Sequence, residues 1–514
     1  MNDVVGRSGP GPGCARAALC VWLAIALPAS AGAGPAADAS AESLRRIETW
    51  NEQLRAVIAV DPTAMQQAAE RDRERAVGEW RGPLHGLPVL IKDNIETRDQ
   101  PTTAGSLALA DNRSGRDAPL VARLRDAGLV IVGKANLSEW ANFRSERSSS
   151  GWSAVGGQAR NPYDTARSPC GSSAGSAVAV AAGMVPLAVG TETDGSIVCP
   201  ASVNGIVGIK PTVGLVSRRG IVPIAHSQDT AGPMAASVRA AAWLLTAMVG
   251  PDSEDPASPS GPGRFGRDYA TALKHEGLRG KRIGVVRSLA GFHEGVDARF
   301  DQAIADLRDA GAEIVDGLSF PEEPTGLSQA AYEVLLYEFK HDLNAYLAGL
   351  PGAAGQLRLQ DLIGFNLQHA EAELKWFQQE VLLEAQRRGG LDSAEYAEAL
   401  ALTQNYSRGA IDALLHGNGL DLLVSPTDGP AWVIDLVVGD RFLGGSSSVP
   451  ARAGYPHITV PMGFVHGLPV GLSFYGAAFS EETLIEAAYA YEQATRHAQP
   501  PAGFGAWQPA VPAE

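Results

Sequence analysis

KRIGVVRSLAGFHEGVDARFDQAIADLRDAGAEIVDGL, Lys281 to Leu318, contains two short apolar runs, KRIGVV (Lys281 to Val286) and AEIVDGL (Ala312 to Leu318). Between them, Val296 to Ala310 repeats its apolar residues at helical spacing. Strand, helix and strand over this length form a β-α-β signature, which calls for a parallel strand pair and an α/β architecture. Outward from it, Pro88 to Ile91 reads as a buried strand ending at Lys92. Further strands are expected at Leu129 to Val132, Asn204 to Thr212, Leu422 to Ser425, Ile458 to Pro461 and Val470 to Phe474. Helices are expected at Ala41 to Ala69, Ser176 to Ala182 and about Glu481 to Arg496. Tyr332 to Leu415 is helical pattern nearly throughout and could cap the sheet, while Pro251 to Gly266 turns to Pro, Gly, Ser and Asp and reads as a surface connection.

At 514 residues the chain can bury a sizeable core, and its 45% hydrophobic and 19% charged content is ordinary for a soluble enzyme. The formal charge of −15, with no run of Lys or Arg, argues against a nucleic-acid or anionic-membrane partner. Arg7 and Arg16 precede an apolar run from Ala17 to Leu27, followed by Pro28 and the small residues Ala29-Ser30-Ala31. That is a secretory signal pattern over residues 1–31, too short to span a bilayer, and it predicts export to the periplasm or beyond. Cys20 lies inside the apolar run, so a lipoprotein anchor is not supported. Removing the leader takes Cys14 and Cys20 with it and leaves Cys170 and Cys199. These two read as unpaired small packing residues, with one bridge conceivable in an oxidising compartment.

Chemistry concentrates in GLPVLIKDNIET (Gly86 to Thr97), SPCGSSAGSAVAVAAG (Ser168 to Gly183) and GTETDGSIVCPAS (Gly190 to Ser202). A lysine at the end of an apolar strand is desolvated, which lowers its pKa and fits it to act as a base near neutral pH. Lys134 and Lys210 have similar contexts and serve as controls. Gly171-Ser172-Ser173-Ala174-Gly175 is a small-residue turn opening a helix, where hydroxyls can cap or relay protons. Asp194-Gly195-Ser196 ends a second turn, in which successive N–H groups can point into one concavity beside a hydroxyl. Each segment alone also fits an ordinary snorkelling lysine, a capped helix or a polar turn.

Together the strand-end lysine and the two serine turns strongly resemble the amidase signature family. NGIVGIKPT (Asn204 to Thr212), AGYPHITVPMG (Ala453 to Gly463) and GLPVGLSFYG (Gly467 to Gly476) extend the resemblance over nearly the whole mature chain. It implies a single large domain with a mixed central β-sheet flanked by helices. That domain would run over 41–497, with a core at about 70–250 and 420–497, a helical cap at about 330–415 and a tail at 498–514. It also implies roles: Lys92 as the base, Ser172 as a relay in a cis-peptide turn, and Ser196 as the nucleophile. The N–H groups of Thr193, Asp194, Gly195 and Ser196 would then face the developing oxyanion. Many members carry Asp, Gly and Arg where Glu192, Asp194 and Val198 stand here. With Ala141 to Asp164 and LLYEFK (Leu335 to Lys340), these departures resemble the bacterial peptide amidases, which remove C-terminal amides. The implied partner is a small-molecule or short peptide amide, met by a monomer without nucleic acid or membrane.

Two other readings compete. Gly171-x-Ser173-x-Gly175 matches the elbow of α/β-hydrolases, with Ser173 as nucleophile and His457 or His497 as its partner, although Pro169 argues against the strand such an elbow needs. A transamidating subunit of the same family is the other, and the leader and the missing basic patch weigh against it. No Walker loop, dinucleotide fingerprint or metal-spaced His/Cys cluster appears, so no cofactor and no metal are expected.

Overall fold

The computed structural model describes residues 34–260 and 263–508; the expected leader at 1–31 and the last six residues of the expected tail lie outside the described residues. In chain order the strands are β1 (Val57–Val60), β2 (Pro88–Lys92), β3 (Val130–Ala135), β4 (Trp152–Ser153), β5 (Gly157–Gln158), β6 (Leu187–Glu192) and β7 (Val207–Lys210). They continue as β8 (Thr230–Ala235), β9 (Arg282–Val286), β10 (Glu313–Leu318), β11 (Leu422–Pro426), β12 (His457–Val465) and β13 (Leu468–Tyr475). Eleven form one mixed sheet in the order β1-β3-β2-β6-β8-β7-β12-β13-β11-β9-β10, while β4 and β5 make a separate hairpin. The chain is thus one large α/β domain. The β-α-β unit appears as read: β9 and β10 run parallel, Ile314 opposite Ile283, joined by the helix Glu294–Asp309.

Strand β2 is buried along its whole length and lies between β3 and β6, parallel to both, with Ile91 opposite Val189 on β6. That register brings Lys92 near Thr191 and Glu192 at the C-terminal ends of two adjacent interior strands. The helix Ala174–Ala181 is buried at every position. A Cβ at Gly175 would fall 2.2 Å from the Ala56 carbonyl oxygen and 2.5 Å from that of Asn136, so the small residues of this segment let the helix press directly on the sheet.

The helix expected over Ala41 to Ala69 is two helices, Pro35–Leu54 and Ala64–Ala76, with β1 between them. Arg55 ends the first in the left-handed region at φ 51, the apolar Val57-Ile58-Ala59-Val60 pairs with β3, and Pro62 blocks a helix running through. The cap expected between Tyr332 and Leu415 is built mainly from Leu327–Ala348, Leu359–Gln368, Glu380–Arg387 and Ala394–Asn418. It has its own apolar cluster, including Leu336, Phe339, Leu343, Leu359 and Leu362, which closes on Trp140 and Phe143 of the main body. Tail residues return to the first helix: Trp507 Nε1 donates to Ser43 Oγ at 3.1 Å, and Phe504 packs on Trp50.

Candidate active site

The Lys92 side chain is fully buried. Its Nζ lies 2.7 Å from Ser172 Oγ, 3.0 Å from Ser173 Oγ, 2.8 Å from Thr191 Oγ1 and 3.3 Å from the Thr191 carbonyl oxygen. All four partners are neutral. Burial therefore pushes the amine well below the usual lysine range, against the opposing pull of the Glu192 and Asp229 charges. The two control lysines are held differently. Lys134 sits 3.1 Å from the Asp93 carboxylate and donates to the Ile95 and Pro101 carbonyls. Lys210 donates to the Tyr455 carbonyl at 2.6 Å, and burial lowers it to about 8 against the charges of Glu192, Glu481 and Asp194.

The adjacent serines differ in their partners. Ser173 Oγ donates to the Thr191 carbonyl at 2.9 Å and accepts the Thr191 N–H at 3.1 Å, so its proton is committed to the β6 backbone. Ser172 Oγ has Lys92 as its one hydrogen-bond partner among the described residues. The peptide bond between Gly171 and Ser172 is cis, the geometry that the family resemblance implies.

Ser196 is 8% exposed and follows Gly195, whose φ of 81 needs a glycine in the turn. Glu192 Oε2 accepts the N–H groups of Ile197 and Val198 at 2.8 and 3.1 Å, which closes the turn and supports the helix Val198–Val203. Thr193 Oγ1 donates to Asp229 at 2.6 Å, and Ser447 Oγ donates to Asp194 at 2.6 Å. With those side chains fixed, the N–H groups of Thr193, Asp194, Gly195 and Ser196 have no protein acceptor among the described residues. Ser173 N–H donates to the Ser196 carbonyl at 3.1 Å. The structure thus places Lys92, Ser172 and Ser173 in direct contact and ties Ser196 to them through its backbone rather than its hydroxyl.

Neither histidine reaches Ser173. His457 Nε2 bonds Ser473 at 2.6 Å, and burial drives its pKa down to about 3, while His497 faces Asp306 at 3.4 Å. No strand directly precedes the Gly-Ser-Ser turn; Ser168 N–H instead donates to the Trp432 carbonyl at 2.7 Å. The reading of Cys170 and Cys199 as unpaired packing residues is corrected: they form a disulfide with Cα atoms 6.1 Å apart. Position in the fold decides this, because the turn before Ser172 is folded against the helix after Ser196, a proximity that a 29-residue separation does not reveal.

A cavity of about 330 Å³ is lined among others by Asn94, Thr191, Thr193, Asp229 and, from the cap, Asp342 and Tyr346. Several residues of the site were missed in the sequence. Thr191 and Asn94 lie inside the quoted motifs, and the 2.9 Å contact from Asn94 Nδ2 to Thr191 Oγ1 orients the hydroxyl that meets Lys92. Ser447 arrives from the distant β11–β12 connection with no local signal, while Asp428, from the same connection, lies within Ser425 to Trp432, a stretch that the sequence offers as pocket lining. Asp428 is fully buried, and its carboxyl is pushed well above the usual range by burial and by the Glu192 and Asp194 charges.

A family profile described as Amidase matches residues 38–485. A probable amidase of Arabidopsis thaliana is 44% identical over 467 residues, covering 89% of this chain and 86% of the relative. Among solved structures, the native peptide amidase from Stenotrophomonas maltophilia is 51% identical with a TM-score of 0.87, covering 91% of this chain and 95% of that one. The peptide amidase PAM bound to the competitive inhibitor chymostatin is 52% identical with a TM-score of 0.88, covering 91% and 96%. A match of this extent, over the segments that carry the lysine and both serine turns, makes the protein an amide-hydrolysing enzyme of the amidase signature family.

Proposed function

We propose that the enzyme removes the C-terminal amide of peptides as ammonia, with Lys92, Ser172 and Ser196 as base, relay and nucleophile. The observation that carries the reading is the 2.7 Å contact between the buried Lys92 amine, whose pKa burial pushes well down, and a Ser172 hydroxyl with no other partner among the described residues. Lys92 takes the Ser172 proton as Ser172 takes that of Ser196, and Ser196 Oγ bonds to the amide carbon. The free N–H groups of Thr193 to Ser196 face the oxyanion that forms. The relayed proton passes to nitrogen as the C–N bond breaks and ammonia leaves. Water then follows the same path in reverse, and Ser196 is released from the acid. Similarity to the Stenotrophomonas maltophilia peptide amidase supports the choice of a peptide substrate.

Export to the periplasm is part of the proposal, supported by the leader pattern at 1–31 and by the Cys170–Cys199 disulfide. So is action by a monomer on small amides alone, for which the charge of −15 speaks. The test is ammonia release from a panel of amidated peptides, aryl amides and short aliphatic amides. Amidated peptides are expected to be deamidated with internal peptide bonds intact. An aliphatic amide preferred over every peptide amide overturns the substrate class.

A further inference from the structure

The disulfide lies between the two serine-bearing segments. Cys170 comes two residues before Ser172, and Cys199 comes three residues after Ser196. Cys199 N–H also donates to the Gly195 carbonyl at 2.8 Å, closing the turn that presents Ser196. On the other side, Cys170 N–H is fixed by Ser168 Oγ at 3.1 Å, with φ at 55 in the left-handed region. Four hydrogen bonds join the same segments directly: Ser173 N–H to the Ser196 carbonyl at 3.1 Å, Asn204 Nδ2 to the Pro169 carbonyl at 2.9 Å, and the pair that Ser173 Oγ makes with the Thr191 carbonyl and N–H at 2.9 and 3.1 Å. Both sulfur-bearing residues are buried, packed with Val203, Ala431 and Trp432. The covalent link therefore spans the gap whose width sets how Ser172 faces Ser196.

We propose that Cys170 and Cys199 are positioning residues for the reaction, and that turnover depends on the oxidised state of a bond no reacting atom touches. The inference rests on reading Ser196 as nucleophile and Ser172 as relay. Without the bond, the segment from Ser168 to Ser173 keeps its hydrogen bonds to the Ser196 side, three of them at Ser173 and one at Pro169, but loses the covalent limit at Cys170. A proton relay between hydroxyls needs near-ångström placement, and misplacement of that size costs on the order of a hundredfold in rate. Reduction by dithiothreitol adds two electrons and two protons to give two thiols, while the dithiol closes to its own cyclic disulfide.

The test compares oxidised enzyme, natively reduced enzyme and the Cys170→Ser/Cys199→Ser double variant. All are assayed well below their unfolding temperatures, with reduction at the two cysteines verified by alkylation and peptide mass mapping. The expected result is a kcat lower by about tenfold to a hundredfold in the reduced enzyme and the double variant, with KM within about twofold. Reoxidation restores the wild-type rate, and dithiothreitol leaves the double variant unchanged. An unchanged kcat, or a rise in KM alone, overturns the proposal, since a merely stabilising cross-link moves the unfolding temperature and not kcat. Reduced wild-type enzyme carries the test if the double variant does not fold. Ser196→Ala in the same assay separates the two readings. Residual turnover there defeats the triad, whereas an inactive Ser196→Ala beside a fully active double variant defeats the clamp alone.

Discussion

The amine of Lys92 meets the hydroxyl of Ser172 at 2.7 Å, and the neighbouring Ser173, at 3.0 Å, already gives its proton to the Thr191 carbonyl. Similar distances thus accompany different proton availability. Ser172→Ala is expected to lower kcat by about two to four orders of magnitude, the usual contribution of a proton relay. Ser173→Ala removes hydrogen bonds to the Thr191 N–H and carbonyl and is expected to cost about 1–3 kcal/mol of stability with a smaller loss of kcat. Ammonia-release kinetics and urea midpoints for both variants check the order, and a Ser173→Ala less active than Ser172→Ala reverses the assignment.

Activity should fall on the acid side as Lys92 takes up a proton. Its folded pKa lies well below 10.5, so between the two values the unfolded chain binds a proton that the folded chain does not. Stability therefore rises with pH across that window, until it levels off above the unfolded value. Lys92→Met is expected to be inactive, more stable at neutral pH, and flatter in its stability profile. Urea midpoints between pH 6 and pH 9 test the sign, and a Lys92→Met midpoint below wild type at pH 7 contradicts it.

Asp229 accepts from Thr193 Oγ1 and from the N–H groups of Ile224 and Ala225, yet burial raises its pKa from 3.8 to about 6. Between those values the folded state binds a proton that the unfolded state does not, so stability falls as pH rises, by on the order of 3 kcal/mol in total. Asp229→Asn should remove that fall. It should also shift the acid limb of activity to lower pH, because the Asp229 charge raises the Lys92 pKa. The pH–rate profile of the variant decides, and a limb moved to higher pH counts against the coupling.

Arg144 holds the cap to the body. Its Nη1 lies 2.5 Å from Glu139 Oε1 and donates to the Glu373 carbonyl at 2.6 Å, with all three side chains buried. Arg144→Met leaves two buried carboxylates and is expected to cost about 3–5 kcal/mol. Burial raises the Glu139 pKa well above its usual value, so the deficit should be larger at pH 8 than at pH 5, where protonation relieves it. Denaturation of Arg144→Met beside Arg144→Met/Glu139→Gln/Glu373→Gln, expected to recover most of the loss, measures the effect.

Elements with a strong local pattern were legible: β2 as an apolar run ending on Lys92, β9 and β10 around an amphipathic helix, and the cap as helical pattern. The join at Leu54 to Ala64 was not, because Ala-rich helix formers on both sides hide four strand residues whose role is fixed by pairing with β3. Strands β6 and β8 were also missed; Gly190, Gly232 and Pro233 weaken their local signal, and their mutual pairing supplies it. In the site, Lys92 and the serine turns could be read from residue type and order. The choice between Ser172 and Ser173 could not, since it depends on where Thr191 places its carbonyl. The disulfide and the Asp194–Ser447 contact depend on chain segments that only the fold brings together.

The sheet order has a topological seam. Strands β1 to β8 of the sheet fill one side, β9 to β13 the other, and the halves join where β7 pairs with β12, Lys210 opposite His457. Between Met248 and Arg282 the described residues contribute no strand. A break there divides the protein into two fragments, each with an uninterrupted run of the sheet. Lys92, Ser172 and Ser196 would travel on one fragment, and Asp428 and Ser447 on the other. Hydrolysis by mixed fragments would then report reassembly, and the enzyme becomes a natural substrate for fragment complementation.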